Sequence, residues 1–151
     1  MNFGFSFVGL LFLLMLFVPN IIWTKFKPKD YEKFCERENK TLLFLERIGE
    51  VLVTCLALFT AIKFSWSLIL AIAFILMIIY EIYWFRYFKS NHTMEDMYKN
   101  FLGIPLPGAT LPVLAFLLLG IYAKNVFLVI SALILGIGHI GIHHMHKKEL
   151  T

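Results

Sequence analysis

"SWSLILAIAFILMIIYEIYWFRYF", residues 65–88, holds only two charged side chains, Glu81 and Arg86, both toward its end. At a rise of about 1.5 Å per residue, a helix of this length exceeds the roughly 30 Å hydrocarbon core of a bilayer. The stretch therefore reads as a membrane span. Its surroundings agree: the 151-residue chain is 60% hydrophobic and only 16% charged, with 16 phenylalanines. A soluble domain of this length could not hide so much apolar surface.

Working outward from this stretch, four more segments qualify by length and apolarity, giving spans at about 3–23, 42–62, 65–88, 105–123 and 126–146. The first lacks the basic start and the small-residue cleavage site of a signal peptide, so it is expected to be a retained helix. Lys and Arg then fall on alternate connections. Eleven of the fourteen lie in the 24–41 connection, around 86–100, or in the tail, whereas Lys63 and Lys124 stand opposite and Arg47 lies inside a span. Under the positive-inside rule this places the N-terminus outside and the C-terminus in the cytoplasm. The expected fold class is an all-α integral membrane bundle of five helices, forming a single transmembrane domain over 1–151. The basic residues follow this topology pattern, so they argue for a lipid bilayer rather than a nucleic acid as partner. Cys35 and Cys55 form no CxxC pair and read as free thiols.

The inner connections carry their own signals. In "NHTMEDMYKNFLG", residues 91–103, Thr93 and Asp96 have capping-box spacing, and Met94, Met97, Tyr98 and Phe101 share a face. "KPKDYEKFCEREN", residues 27–39, offers Tyr31, Phe34 and Cys35 in a similar way. Both are expected to be short cytoplasmic surface helices turned toward lipid. "FLGIPLPGATLPVLAFLLLG", residues 101–120, allows two readings. Regular helix begins near Thr110 after broken backbone, or near Pro105 with a kink at Pro112.

Polar residues inside spans are costly and face the bundle interior. "LLFLERIGEVLV", residues 42–53, brings Glu46, Arg47 and Glu50. Span three brings Glu81, span one ends with Asn20, and "GIGHIGIHHMHKK", residues 136–148, brings His139 and His143. Counting from the inner ends puts Glu50, Glu81 and His139 at a common depth of roughly 10–12 Å. These three are expected to converge, with Asn20, Glu46, Arg47 and His143 in a shallower layer. Ala132, Gly136, His139, His143 and His146 fall on one helix stripe, and Ala132–Gly136 is a small-xxx-small pair for close helix approach. His146 is expected at the surface with Lys147 and Lys148.

Several uses fit this pocket. It can be the internal salt-bridge network of a small membrane subunit or regulator. It can serve a proton-coupled transporter of ions or small solutes, which with five helices and no internal repeat would need to oligomerise or join a partner membrane protein. His139, His143, Glu50 and Glu81 can ligate a divalent Zn, Mn or Fe, because i,i+4 places two imidazoles on one face. An enzyme acting on lipid at the inner leaflet is a further alternative, but no nucleophile motif or Gly-rich nucleotide loop supports one. The runs "VPNIIWTKFKPKDYEKF", "LFLERIGEVLV", "YEIYWFRYFKS", "LPGATLPVLAFLLLGIY" and "GIGHIGIHHMHKK" together resemble a group of small uncharacterised bacterial multi-pass membrane proteins. The resemblance implies a bacterial cell-membrane location and brings no activity or catalytic residues.

Overall fold

The computed structural model describes residues 3–150, and every regular element in them is helical. Five long helices, α1 (Phe7–Trp23), α3 (Lys40–Phe59), α4 (Leu68–Phe88), α6 (Pro107–Tyr122) and α7 (Val126–Lys148), are joined by connections that hold two five-residue helices, α2 (Tyr31–Cys35) and α5 (Met94–Tyr98). The long helices start where a side chain can take up orphan N–H groups. Ser6 accepts from Gly9, Asn39 from Thr41 and Leu42, Ser67 from Ile69, and Asn125 from Phe127 and Leu128. Helix α6 differs. It starts on Pro107 after Leu106 in the left-handed region (φ 50°), between the two starts that the sequence allowed. Proline at the first position lacks only an N–H that would have no helical partner. The segment before it stays irregular, and the Thr110 hydroxyl ties it down by hydrogen bonds to the Pro105 and Leu106 carbonyls.

The helices close into a ring. α3 packs along α7, α7 along α6 and α6 along α4, while α1 completes the circle more loosely between α4 and α3. Glycines set the tightest seams. A Cβ on Gly138 would sit 2.3 Å from the Glu46 nitrogen, and one on Gly49 would sit 2.5 Å from the Leu135 Cα, so α3 and α7 touch backbone to backbone. Gly9 likewise meets the Ala57 carbonyl, pinching α1 against α3 at one end. At that far end Gly4 and Ser6 bond to Phe59 and Leu58, Asn125 bonds to Thr60, and the Tyr122 hydroxyl gathers Lys63 and Ser65. The middle is filled by Phe12, Val53, Met77, Phe116, Leu119 and Leu128, all buried.

The outside is apolar. Large hydrophobic side chains are exposed along every long helix, among them Leu14 and Phe17 on α1, Val51 on α3, Ile75 and Phe85 on α4, Leu114 on α6 and Leu133 on α7. Two helices, α4 and α7, are long and apolar enough to cross a membrane. α1 and α6 are apolar but shorter, and α3 carries Glu46, Arg47 and Glu50.

The short helices do not turn their apolar faces to lipid. Met94, Met97 and Tyr98 are buried, and the Tyr83 hydroxyl donates to the Met97 carbonyl at 2.7 Å. Tyr31 stacks edge-on against Trp23, and Phe34 against His146. Both helices fold over the bundle end as a lid, because the ring leaves aromatic and polar surface there that needs covering. His146 is corrected with them: it is 1% exposed rather than at the surface, enclosed by Tyr31, Phe34 and Tyr98.

Candidate functional site

Beneath this lid lies a cavity of about 530 Å³, reached by all five long helices. α1 supplies Asn20 and Trp23, α3 supplies Glu46, Arg47 and Glu50, and α4 supplies Trp84. The N-terminus of α6 borders it at Gly108, and α7 supplies His139, Ile142 and His143. Lys27, Tyr31, Cys35, Glu38 and Met97 close it from the lid. α1 and α3 touch closely at Gly9–Ala57, away from the lid, and both supply wall residues at the lid end.

Of the seven residues expected in a common pocket, Asn20, Glu46, Arg47, Glu50, His139 and His143 line this cavity. Glu81 does not. It lies half-buried on the flank of α4, about 100° around the helix from Tyr80, and its buried Oε1 has no hydrogen-bond partner. The convergence of Glu50, Glu81 and His139 is therefore not formed. His139 instead meets Glu46, with Nδ1 2.5 Å from Oε1. The cause is the Gly138 seam, which draws the Glu46 backbone against α7 and leaves the adjacent His139 within reach. Glu50, one turn deeper, accepts from Arg47 at 3.1 Å. Asn20 donates to the Tyr80 hydroxyl and to the Leu16 carbonyl of its own helix.

The histidines continue the polar wall. The His139 and His143 rings meet edge to face at 4.5 Å between centroids. His143 Nδ1 is 3.0 Å from the Tyr98 hydroxyl, which also lies 3.2 Å from His146 Nδ1. His146 Nε2 is 3.1 Å from Glu38 Oε1, an ion-pair distance without aligned hydrogen-bond geometry. A phenol can both donate and accept, so the Tyr98 hydroxyl bridges the two imidazoles. Burial, and then the neighbouring Tyr31, pushes the Tyr98 phenol well up, so it stays neutral and keeps both roles. His144 points away and is exposed.

The Tyr98 and His146 parts of this wall were not singled out from sequence as site residues. In the sequence Tyr98 stands out only as part of the shared face of a short surface helix. Among the described residues no three His, Cys, Asp or Glu side chains converge as a metal-binding group, so the set His139, His143, Glu50 and Glu81 is not assembled for Zn, Mn or Fe. Glu81 is absent from the cavity, and Glu50 is turned to Arg47. No protein-family model, curated protein or solved structure matches this chain.

Proposed function

We propose that this is a five-span integral membrane protein of the bacterial cytoplasmic membrane, N-terminus outside and C-terminus inside. Its lidded cavity binds a small polar solute from the cytoplasmic side, and binding is coupled to proton movement in the Glu–His–Tyr wall. Support for the membrane part is the polarity of the bundle: large apolar side chains are exposed on all five long helices, while Glu46 and His146 are buried. Water-soluble monomers rarely show contiguous apolar patches beyond a few hundred Å². The solute-binding part is carried by one observation, the Glu46–His139 contact on the wall of a cavity large enough for a ligand. A network that served only to fix helix register needs no chamber of ligand size along its wall. That favours a proton-coupled binding or carrier role over a purely structural membrane subunit. A carrier of this size would act as an oligomer or with a partner membrane protein.

The test is proton exchange on binding. Protein in nanodiscs at low buffer strength is titrated with a panel of methylated amines, amino acids and short dicarboxylates while pH is followed. At least one class is expected to give saturable proton uptake or release, lost in Glu46→Gln and His139→Ala and kept in His144→Ala. A panel with no saturable response, or one indifferent to Glu46→Gln, refutes the reading.

A further inference from the structure

A second cavity, of about 150 Å³, lies deeper in the ring and shares Asn20, Glu50 and His139 with the first. Beyond those three its wall is nearly all apolar: Leu16 and Phe17 from α1, Val53 from α3, Val113 and Phe116 from α6, and Leu135 from α7, with the Thr54 hydroxyl and the Pro112 ring completing it. A slot of about this volume has room for a benzene-sized group. A polar chamber and a largely apolar slot thus meet at one polar neck.

We infer that the ligand is a cationic amphiphile, an amine or quaternary ammonium bearing one compact apolar group, with its head in the large chamber and its apolar end in the slot. This deepens the solute-binding reading above and rests on it. The charge assignment follows from the chamber itself. Three carboxylates, Glu38, Glu46 and Glu50, share the wall with two permanent cations, Lys27 and Arg47, and with the imidazoles of His139 and His143. Trp23, Tyr31 and Trp84 line the same walls; the Trp23 ring already holds the Lys27 ammonium 5.6 Å from its centroid, and aromatic rings attract desolvated cations. At the neck, Glu50 uses Oε2 for Arg47, and Asn20 spends its amide nitrogen on Tyr80 and Leu16. The remaining oxygens there are acceptors, suited to a positive head and not to an anionic one. The slot borders α1, which packs against its neighbours α3 and α4 more loosely than the other ring helices pack against theirs.

The probes are benzyltrimethylammonium, tetramethylammonium and benzenesulfonate, measured by calorimetry on the full chain in nanodiscs. Burying a phenyl group is expected to make benzyltrimethylammonium bind roughly tenfold to a hundredfold tighter than tetramethylammonium. Benzenesulfonate is expected to bind weakest. Val113→Phe fills the slot and should erase the benzyl advantage while tetramethylammonium still binds, which also reports that the variant is folded. Should that variant misfold, Phe116→Ala enlarges the slot and should shift preference toward a naphthylmethyl ammonium. Glu50→Gln leaves Arg47 unopposed and should weaken both cations about tenfold or more. Equal affinity for the two cations, or a slot variant that keeps the benzyl advantage, overturns this proposal and leaves the solute-binding reading standing. Tighter binding of benzenesulfonate overturns the charge assignment. Silence of all three probes together with the whole polar panel removes the solute-binding reading and this proposal with it.

Discussion

Gly138 decides more about the site than any charged residue does. Its missing side chain lets the α3 backbone approach α7, and an added Cβ would meet Glu46 N at 2.3 Å and the Leu42 carbonyl at 2.6 Å. Both are backbone atoms that cannot rotate away. Gly138→Ala is therefore expected to force the two helices apart, at a cost of about 1–3 kcal/mol as for other overpacked cores. It should lower the melting temperature and also loosen His139 from Glu46. At Gly141 the added Cβ would meet only the Leu42 side-chain tip, at 3.0 Å. Gly141→Ala should thus shift the melting temperature much less, and equal losses in the two variants would refute the backbone-seam account. The sequence showed that Glu46 and Glu50 share a helix face and that His139 lies on a stripe with Ala132 and Gly136. It could not show which neighbour each face meets. The Gly136 side of α7 faces Val113 of α6, while the Gly138 side faces α3. Depth counting treated all helices as upright and level. Glu50 does share both cavities with His139, but the direct contact of His139 is with Glu46.

At the scale of elements, the lid is the part whose local chemistry was most legible and whose packing was least so. Thr93 and Asp96 form the reciprocal capping box that their spacing implies, with the Asp96 N–H donating to the Thr93 hydroxyl at 3.0 Å. A five-residue helix cannot sustain itself by propagation, so α5 depends on this cap, on the Arg86 guanidinium donating to the Asp96 carbonyl at 3.1 Å, and on Tyr98 docking. Which way its apolar face turned was not readable, because lipid and a half-open bundle end attract Met and Tyr alike. Burial alone would raise the Asp96 carboxyl. Hydrogen bonds from the Thr93 backbone and side chain, with Ser90 and Asn91, outweigh it and hold the group below its ordinary value of 3.8. A depressed carboxyl stabilises the fold at pH values above that ordinary value and loses this effect as pH falls through the lower folded value. Thr93→Ala should cost about 1 kcal/mol of local stability, speeding hydrogen exchange at Met97 and Tyr98 about fivefold. In the wild type the same amides should lose protection below pH 4 and keep it from pH 5 to 8. Protection unchanged in Thr93→Ala would mean that docking alone holds the lid.

At the scale of the whole molecule, the ring bears on how many helices cross the membrane. α4 and α7 are the two long enough by themselves, yet they are not neighbours: α6 separates them on one side, α1 and α3 on the other. In the proposed five-span arrangement the bilayer also surrounds the three helices between them, and the shorter helices reach the same depth by other means. α1 is extended at its start by residues 3–6, bonded alongside the end of α3, and α6 is continued on the lid side by the irregular, buried turn at Leu106. Irregular backbone at that depth is tolerated where protein covers it. The charges of α3 face the cavity or pair along the helix, as Arg47 and Glu50 do. Two spans would leave exposed Val51, Leu14 and Leu114 in water for no gain. Five spans with the lid inside make a sharp expectation for chemical labelling. With Cys35 and Cys55 replaced by Ala, single cysteines at Ser65 and Lys124 should react with a membrane-impermeant maleimide on intact cells. Cysteines at Lys29, Lys99 and Lys148 should react only after permeabilisation. Labelling of Lys29 and Lys148 positions on opposite sides would break the five-span count. Labelling of all five positions on intact cells would place the chain on a membrane surface, and the cavity would then open to water rather than to a cytoplasmic leaflet.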